Sequence, residues 1–178
     1  MTAQRTIGMV ALAAALVTLL SLSVPGYAAA AQTRVGFGFN GTVSGFPTGV
    51  VRLTGGGSYR IATGFVKSAG GFRCLEAVEQ GPLAGCQAGE GVRWDTVELL
   101  ASTTFTCTGS DPSKTAVTDE RTVVLLADFY RAGDANDESF TAQIIVSEVD
   151  IAPDIPGTQT LWIQGVGCGS AVTHFSTR

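Results

Sequence analysis

From residue 34 onward the chain is a series of short runs of Val, Ile, Thr, Phe and Tyr, separated by glycine-rich or polar breaks. Such runs predict β-strands, because branched and aromatic side chains pack well on a pleated sheet. In the first run, residues 34–43, Val35, Phe37 and Phe39 alternate with Gly36, Gly38 and Asn40. Alternate strand residues point to opposite faces, so one face is apolar and the other almost bare. If the bare face points inward, it leaves room for a ligand. Residues 50–53 predict a second strand. Gly55-Gly56-Gly57 then predicts a hairpin turn into residues 58–65, and Gly70-Gly71 a break before residues 72–78. The triple glycine is not a phosphate loop, since no Gly-Lys-Ser/Thr follows it.

Residues 88–104 read two ways. Asp95 followed by Glu98 resembles a capping box and favours a short helical turn through Leu99 and Leu100, with a strand starting at Thr103. The alternative is a strand over residues 94–99. Residues 108–114 form a surface loop. Residues 122–131 predict a long strand in which Val123, Val124, Leu125 and Leu126 are apolar in succession. A polar turn leads back into a partner where Phe140, Ala142, Ile144 and Val146 share one face. That pattern predicts an antiparallel hairpin with one wet side. Residues 160–166 and 171–175 complete the set.

The fold class is therefore all-β, with about eight strands and at most one short helix. Glycine lying on one side of a strand suits a sheet that bends sharply, which favours an antiparallel β-barrel. A β-sandwich is the alternative, since both architectures give the same alternation in single strands.

The N-terminus changes the setting. Arg5 precedes an apolar run over residues 8–22, Pro25-Gly26 breaks it, and Ala28-Ala29-Ala30 supplies small residues. Residues 1–30 thus predict a cleaved secretory signal, leaving 31–178 as one domain. No later stretch is apolar enough to span a membrane as a helix, so no stable insertion is expected after cleavage. Cleavage removes Arg5 alone among charged residues, making the protein one unit more acidic than the −4 of the full chain. The charges look scattered, with no basic run, so nucleic acid is not an expected partner. In an exported protein four cysteines predict two disulfides. Cys74–Cys86 and Cys107–Cys168 are favoured, the first closing a short loop and the second tying the middle of the chain to its end. A four-thiolate zinc site is disfavoured because no CxxC spacing occurs.

Candidate chemistry is sparse. His174 is the single histidine, and no Gly-x-Ser-x-Gly elbow accompanies it. Asp134, Asn136 and Asp137 place alternating oxygens in one turn, a candidate calcium site, although Asp and Asn are also ordinary turn formers. Glu148 and Asp150 lie two apart, with Asp154 nearby, as a candidate acid–base pair. Asp128 interrupts an apolar strand. Either it faces water, or it lies inside a barrel, partnered by Arg52, Arg73 or Arg93 and orienting a ligand together with Tyr130 and Trp162. No cofactor is expected. The reading is a secreted, monomeric, non-enzymatic barrel that binds a small apolar molecule. A barrel-type enzyme using a carboxylate, and a cell-envelope structural or interaction protein, are the alternatives.

Overall fold

The structure is a computed structural model that describes residues 33–131 and 139–178. The predicted signal at 1–30 and the candidate calcium turn Asp134, Asn136 and Asp137 lie outside the described residues. The strands are β1 (Val35–Gly45), β2 (Val50–Arg60), β3 (Phe65–Glu76), β4 (Arg93–Leu100), β5 (Ser102–Phe105) and β6 (Lys114–Val117). They continue as β7 (Thr122–Tyr130), β8 (Ser139–Ser147), β9 (Leu161–Ile163), β10 (Gly167–Gly169) and β11 (Ala171–Thr177). All pairings are antiparallel.

The main sheet runs β10-β9-β8-β7-β4-β3-β2-β1-β11, and β10 also pairs with β1. Its first eight strands thus form a ring-like sheet. The ring closes through two residue pairs, Ser44 with Cys168 and Gly45 with Gly167. β11 covers the rest of β1, from Gly41–Ala171 to Val35–Thr177.

Inside the ring the apolar faces meet in one core. Val35, Phe37, Phe39, Val51, Leu53, Tyr59, Phe72, Trp94, Phe129, Ile144 and Ile163 all belong to it. The aromatic rings touch in sequence around it. Phe39 lies 6.0 Å from Trp94, and Phe72 lies 5.1 Å from Phe129 in an edge-on arrangement. β5 and β6 form a separate hairpin whose Phe105 and Ala116 join a second core with Val124, Ile145, Trp162, Ala152 and the Cys107–Cys168 bridge. This explains the unbroken apolar run in β7. Val123 and Leu125 face the ring interior, while Val124 faces the second core.

Two disulfides staple the fold with the expected pairing. Cys74–Cys86 has Cα atoms 6.3 Å apart, and Cys107–Cys168 has them 4.8 Å apart. The only described helical element is a 3-10 turn, Ile61–Thr63.

Four expectations are corrected. Gly55-Gly56-Gly57 is not a turn but the middle of β2, and Gly70-Gly71 lies within β3. The chain turns instead at Ile61–Thr63 and Gly64, whose φ of 66° is left-handed. The reason is Trp94. A Cβ at Gly55 would lie 2.4 Å from its ring, and one at Gly70 would lie 2.7 Å from its Nε1. The indole lies across two bare strands and donates to the Thr54 carbonyl at 2.9 Å. Second, residues 95–100 are strand β4 rather than a helical turn. Pairing with β7 from Arg93–Tyr130 to Leu100–Val124 outweighs the local capping signal. Third, the outer side of β8 is wet only in its first part, at Thr141 and partly at Gln143, since Ile145 and Ser147 are buried. Fourth, the strand expected over residues 160–166 is only β9, with β10 following in a glycine-rich stretch that carries no strand pattern of its own, and β6 follows the 108–114 loop where no strand is expected.

Candidate functional site

The bare face of β1 points outward. Phe37 and Phe39 face the core, so Gly36 and Gly38 lie on the outside. The registers extend this outer face across the sheet. His174, Gly38, Gly56, Ala69, Asp95, Asp128 and Thr141 follow one another on paired positions from β11 to β8. The next row holds Val172, Asn40, Thr54, Gly71, Arg93, Tyr130 and Ser139. The result is a low floor of glycine and alanine, with taller side chains at its edges. A Cβ at Gly38 would meet nothing nearer than 3.9 Å, so the space above it is open.

Cations stand around this floor. Arg52 on β2 and Arg73 on β3 are exposed and directly paired across the strands. Like charges directly opposite each other repel. Among the described residues neither forms an ion pair. Arg52 Nη2 only approaches Asn40 Oδ1, at 3.5 Å. Together with Thr54, Gly71, Gly91 and Val92 they line a shallow cup of about 420 Å³ over Phe72. Arg93, on the adjoining strand, stacks on the Tyr130 ring at 4.6 Å and reaches Asp95 at 3.9 Å.

A second group lies further along β2. Arg34 donates to Ser58 Oγ through Nε at 2.9 Å and Nη2 at 2.6 Å, and Lys67 pairs with Ser58 from the other side. Arg34 and Arg60 flank the exposed Phe65 ring at 5.8 and 5.7 Å. β3 and β4 pair only over Ala69–Gly71 and Arg93–Asp95, and a recess of about 570 Å³ opens beside that short pairing. Gly56, Gly57, Lys67, Asp95 and Thr96 are among its lining, and Ser68 and Thr96 are hydrogen-bonded at its inner side.

The expected site residues are dispersed. Asp128 and Tyr130 share the outer face of β7. Asp128 accepts a hydrogen bond from Thr141 Oγ1 at 2.7 Å and sits opposite Asp95, not beside an arginine inside the ring. Trp162 is buried in the second core and donates to the Thr106 carbonyl at 2.9 Å. The three do not converge. The carboxylates considered for acid–base work hold structure instead. Glu148 pairs with Arg121 at 3.1 Å. Asp150 Oδ1 accepts from the Ala152 and Gln159 amides. Asp154 pairs with Lys114 at 3.0 Å, and that hydrogen bond holds its carboxyl below the usual range. His174 is exposed on β11 opposite Gly38. Among the described residues no cluster of three His, Cys, Asp or Glu is placed to hold a metal ion. No described helix is long and apolar enough to cross a membrane.

Reading the charges as scattered misses one signal. Every Asp and Glu lies between Glu76 and Asp154, whereas Arg34, Arg52, Arg60, Lys67 and Arg73 precede them with no acid in between. Because β1 to β3 are consecutive neighbours in the sheet, that stretch becomes one cationic face. No family model, no curated protein and no solved structure matches this chain.

Proposed function

We propose that the mature chain is a non-enzymatic binding protein that works outside the reducing cytoplasm and recognises its partner on the outer face of β1–β4. One observation carries this reading. Inside the ring the Trp94 indole fills the space beside Gly55 and Gly70, whereas outside the same strands present an open floor rimmed by cations, of which Arg52 and Arg73 form no ion pair among the described residues. A carrier of a small apolar molecule would need that inner space. An acid–base enzyme built on Glu148, Asp150 and Asp154 would need them free and convergent, and here they are committed to separate structural contacts. The apolar N-terminal run ending in small residues, together with the two disulfides, supports export.

The test uses Gly38. A tyrosine there has room at Cβ, projects over the floor and leaves the core untouched. Mature wild type and Gly38→Tyr are mixed with envelope material from the secreting cells and sedimented. The reading expects wild type to co-sediment and the variant to stay in solution, with equal thermal midpoints. Equal sedimentation of both would overturn it. So would a small apolar molecule that co-purifies with wild type and is released on unfolding.

A further inference from the structure

Building on that outer-face reading, we infer that the ligand is an extended anionic polysaccharide, carrying carboxylate or sulfate groups, which lies along β2 between two cationic poles. The first pole is the Arg52–Arg73 pair above its cup. The second is Arg34 with Lys67, brought together on either side of Ser58. Arg52 and Ser58 are six positions apart on one strand. At ~3.3 Å per residue the poles stand about 20 Å apart. Between them run Thr54 and Gly56 on β2, with Gly38 and Asn40 on one side and Ala69 and Gly71 on the other.

The chemistry follows from four features. Guanidinium groups present forked donors that match the paired oxygens of carboxylate and sulfate. Two like charges held opposite each other without a shared acid are relieved when an anion bridges them. The separation of the poles favours a ligand with repeated charges over a single small anion. The low floor admits the flat faces of sugar rings, and Asn40, Thr54 and Ser58 offer amide and hydroxyl partners for ring hydroxyls.

Other polyanions fit less well. Single-stranded nucleic acid needs free aromatic faces for its bases, whereas Phe72 lies beneath the surface at 4% exposure, Arg93 covers the Tyr130 ring, and Arg34 and Arg60 flank the Phe65 ring. An acidic peptide added as a strand needs a free sheet edge, and β2 is paired on both sides. Asp95, which lines the recess beside the track, pairs with Arg93, and Asp128 beyond it accepts from Thr141.

The experiment titrates the mature protein with polygalacturonate, dextran sulfate, neutral dextran and DNA at low salt and again at about 0.5 M, where screening is nearly complete over a few ångströms. At least one of the two acidic polysaccharides is expected to bind at low salt and to be released at high salt. Preference for polygalacturonate assigns carboxylate, and preference for dextran sulfate assigns sulfate. R52Q/R73Q and R34Q/K67Q each weaken binding about tenfold, and the quadruple variant abolishes it. K114Q/R121Q, which removes two cations elsewhere, leaves it unchanged. The inference is overturned if neither acidic polysaccharide binds, if R52Q/R73Q binds like wild type, or if DNA binds as tightly. In any of those cases, loss of envelope binding by Gly38→Tyr keeps the outer-face reading standing, whereas an unaffected Gly38→Tyr removes both.

Discussion

At the residue scale, two kinds of glycine do opposite work on the same strands. Gly55 and Gly70 face inward and are filled by the Trp94 indole; Gly38 faces outward and is filled by nothing. Gly55→Ala forces a methyl against the indole and the Ala69 carbonyl, and is expected to cost about 1–3 kcal/mol as overpacking. Gly38→Ala meets ordinary contact distances and restricts the unfolded chain, so it is expected to be neutral or to add about 0.4–1 kcal/mol. Urea midpoints of the two variants check the contrast, and equal midpoints would contradict this account of the fold. Tyr59 gives a second residue-level test. Its hydroxyl donates to the Asp119 carbonyl at 2.6 Å, and burial, with Asp119 and Glu120 nearby, pushes its pKa well above the ordinary 10.0. The folded state therefore keeps the phenol neutral while the unfolded state ionises. Its contribution to stability is complete below pH 10.0 and declines as pH rises above it. Tyr59→Phe is expected to flatten that alkaline decline in a series of thermal melts, while lowering stability near neutrality through loss of the hydrogen bond.

At the scale of elements, legibility follows whether a strand's own residues or its partners decide it. β1, β7 and β8 carry clear apolar alternation or runs, and they form where that pattern places them. β2 and β3 look broken in part because Gly55 and Gly70 serve a tryptophan from β4, a contact between residues far apart in the chain. The capping motif at Asp95 and Glu98 is a local preference of about 0.5–2 kcal/mol, and the ladder to β7 outweighs it. The disulfides belong to this scale too. Cys74–Cys86 spans 12 residues and Cys107–Cys168 spans 61. In the chain-entropy model their loss costs about 3 and about 4 kcal/mol respectively. The longer bridge also anchors the second core, where Cys107 and Cys168 pack with Phe105 and Trp162. C107S/C168S is therefore expected to lower the urea midpoint more than C74S/C86S does. It is also expected to speed amide exchange in the β5–β6 hairpin, while leaving β1 and β2 protected. Exchange mapped by mass spectrometry checks both halves of that expectation.

At the scale of the whole molecule, charge position matters more than charge total. The sequence has more acids than bases, which on its own argues against an anionic partner. The topology alters that conclusion, since the acid-free stretch from Arg34 to Arg73 folds into adjacent strands and its cations share an outer face. That order of charges is visible in the sequence once acids and bases are counted by region. Its convergence on one face is not, because it requires knowing that β1 to β3 are neighbours. The two poles, set by Arg52 facing Arg73 and Lys67 facing Ser58, depend on register, which no local pattern in those glycine-rich strands fixes. Ion exchange separates net charge from its arrangement. The mature protein, although acidic overall, is expected to be retained on a sulfonate resin at neutral pH and low salt, because a concentrated patch binds a charged surface independently of the total. R52Q/R73Q and K114Q/R121Q remove the same number of charges. The first is expected to elute at clearly lower salt than wild type and the second close to wild type, since Lys114 and Arg121 already face Asp154 and Glu148. Equal shifts for the two variants would mean that retention tracks total charge and that the outer face of β1–β4 has no electrostatic identity of its own.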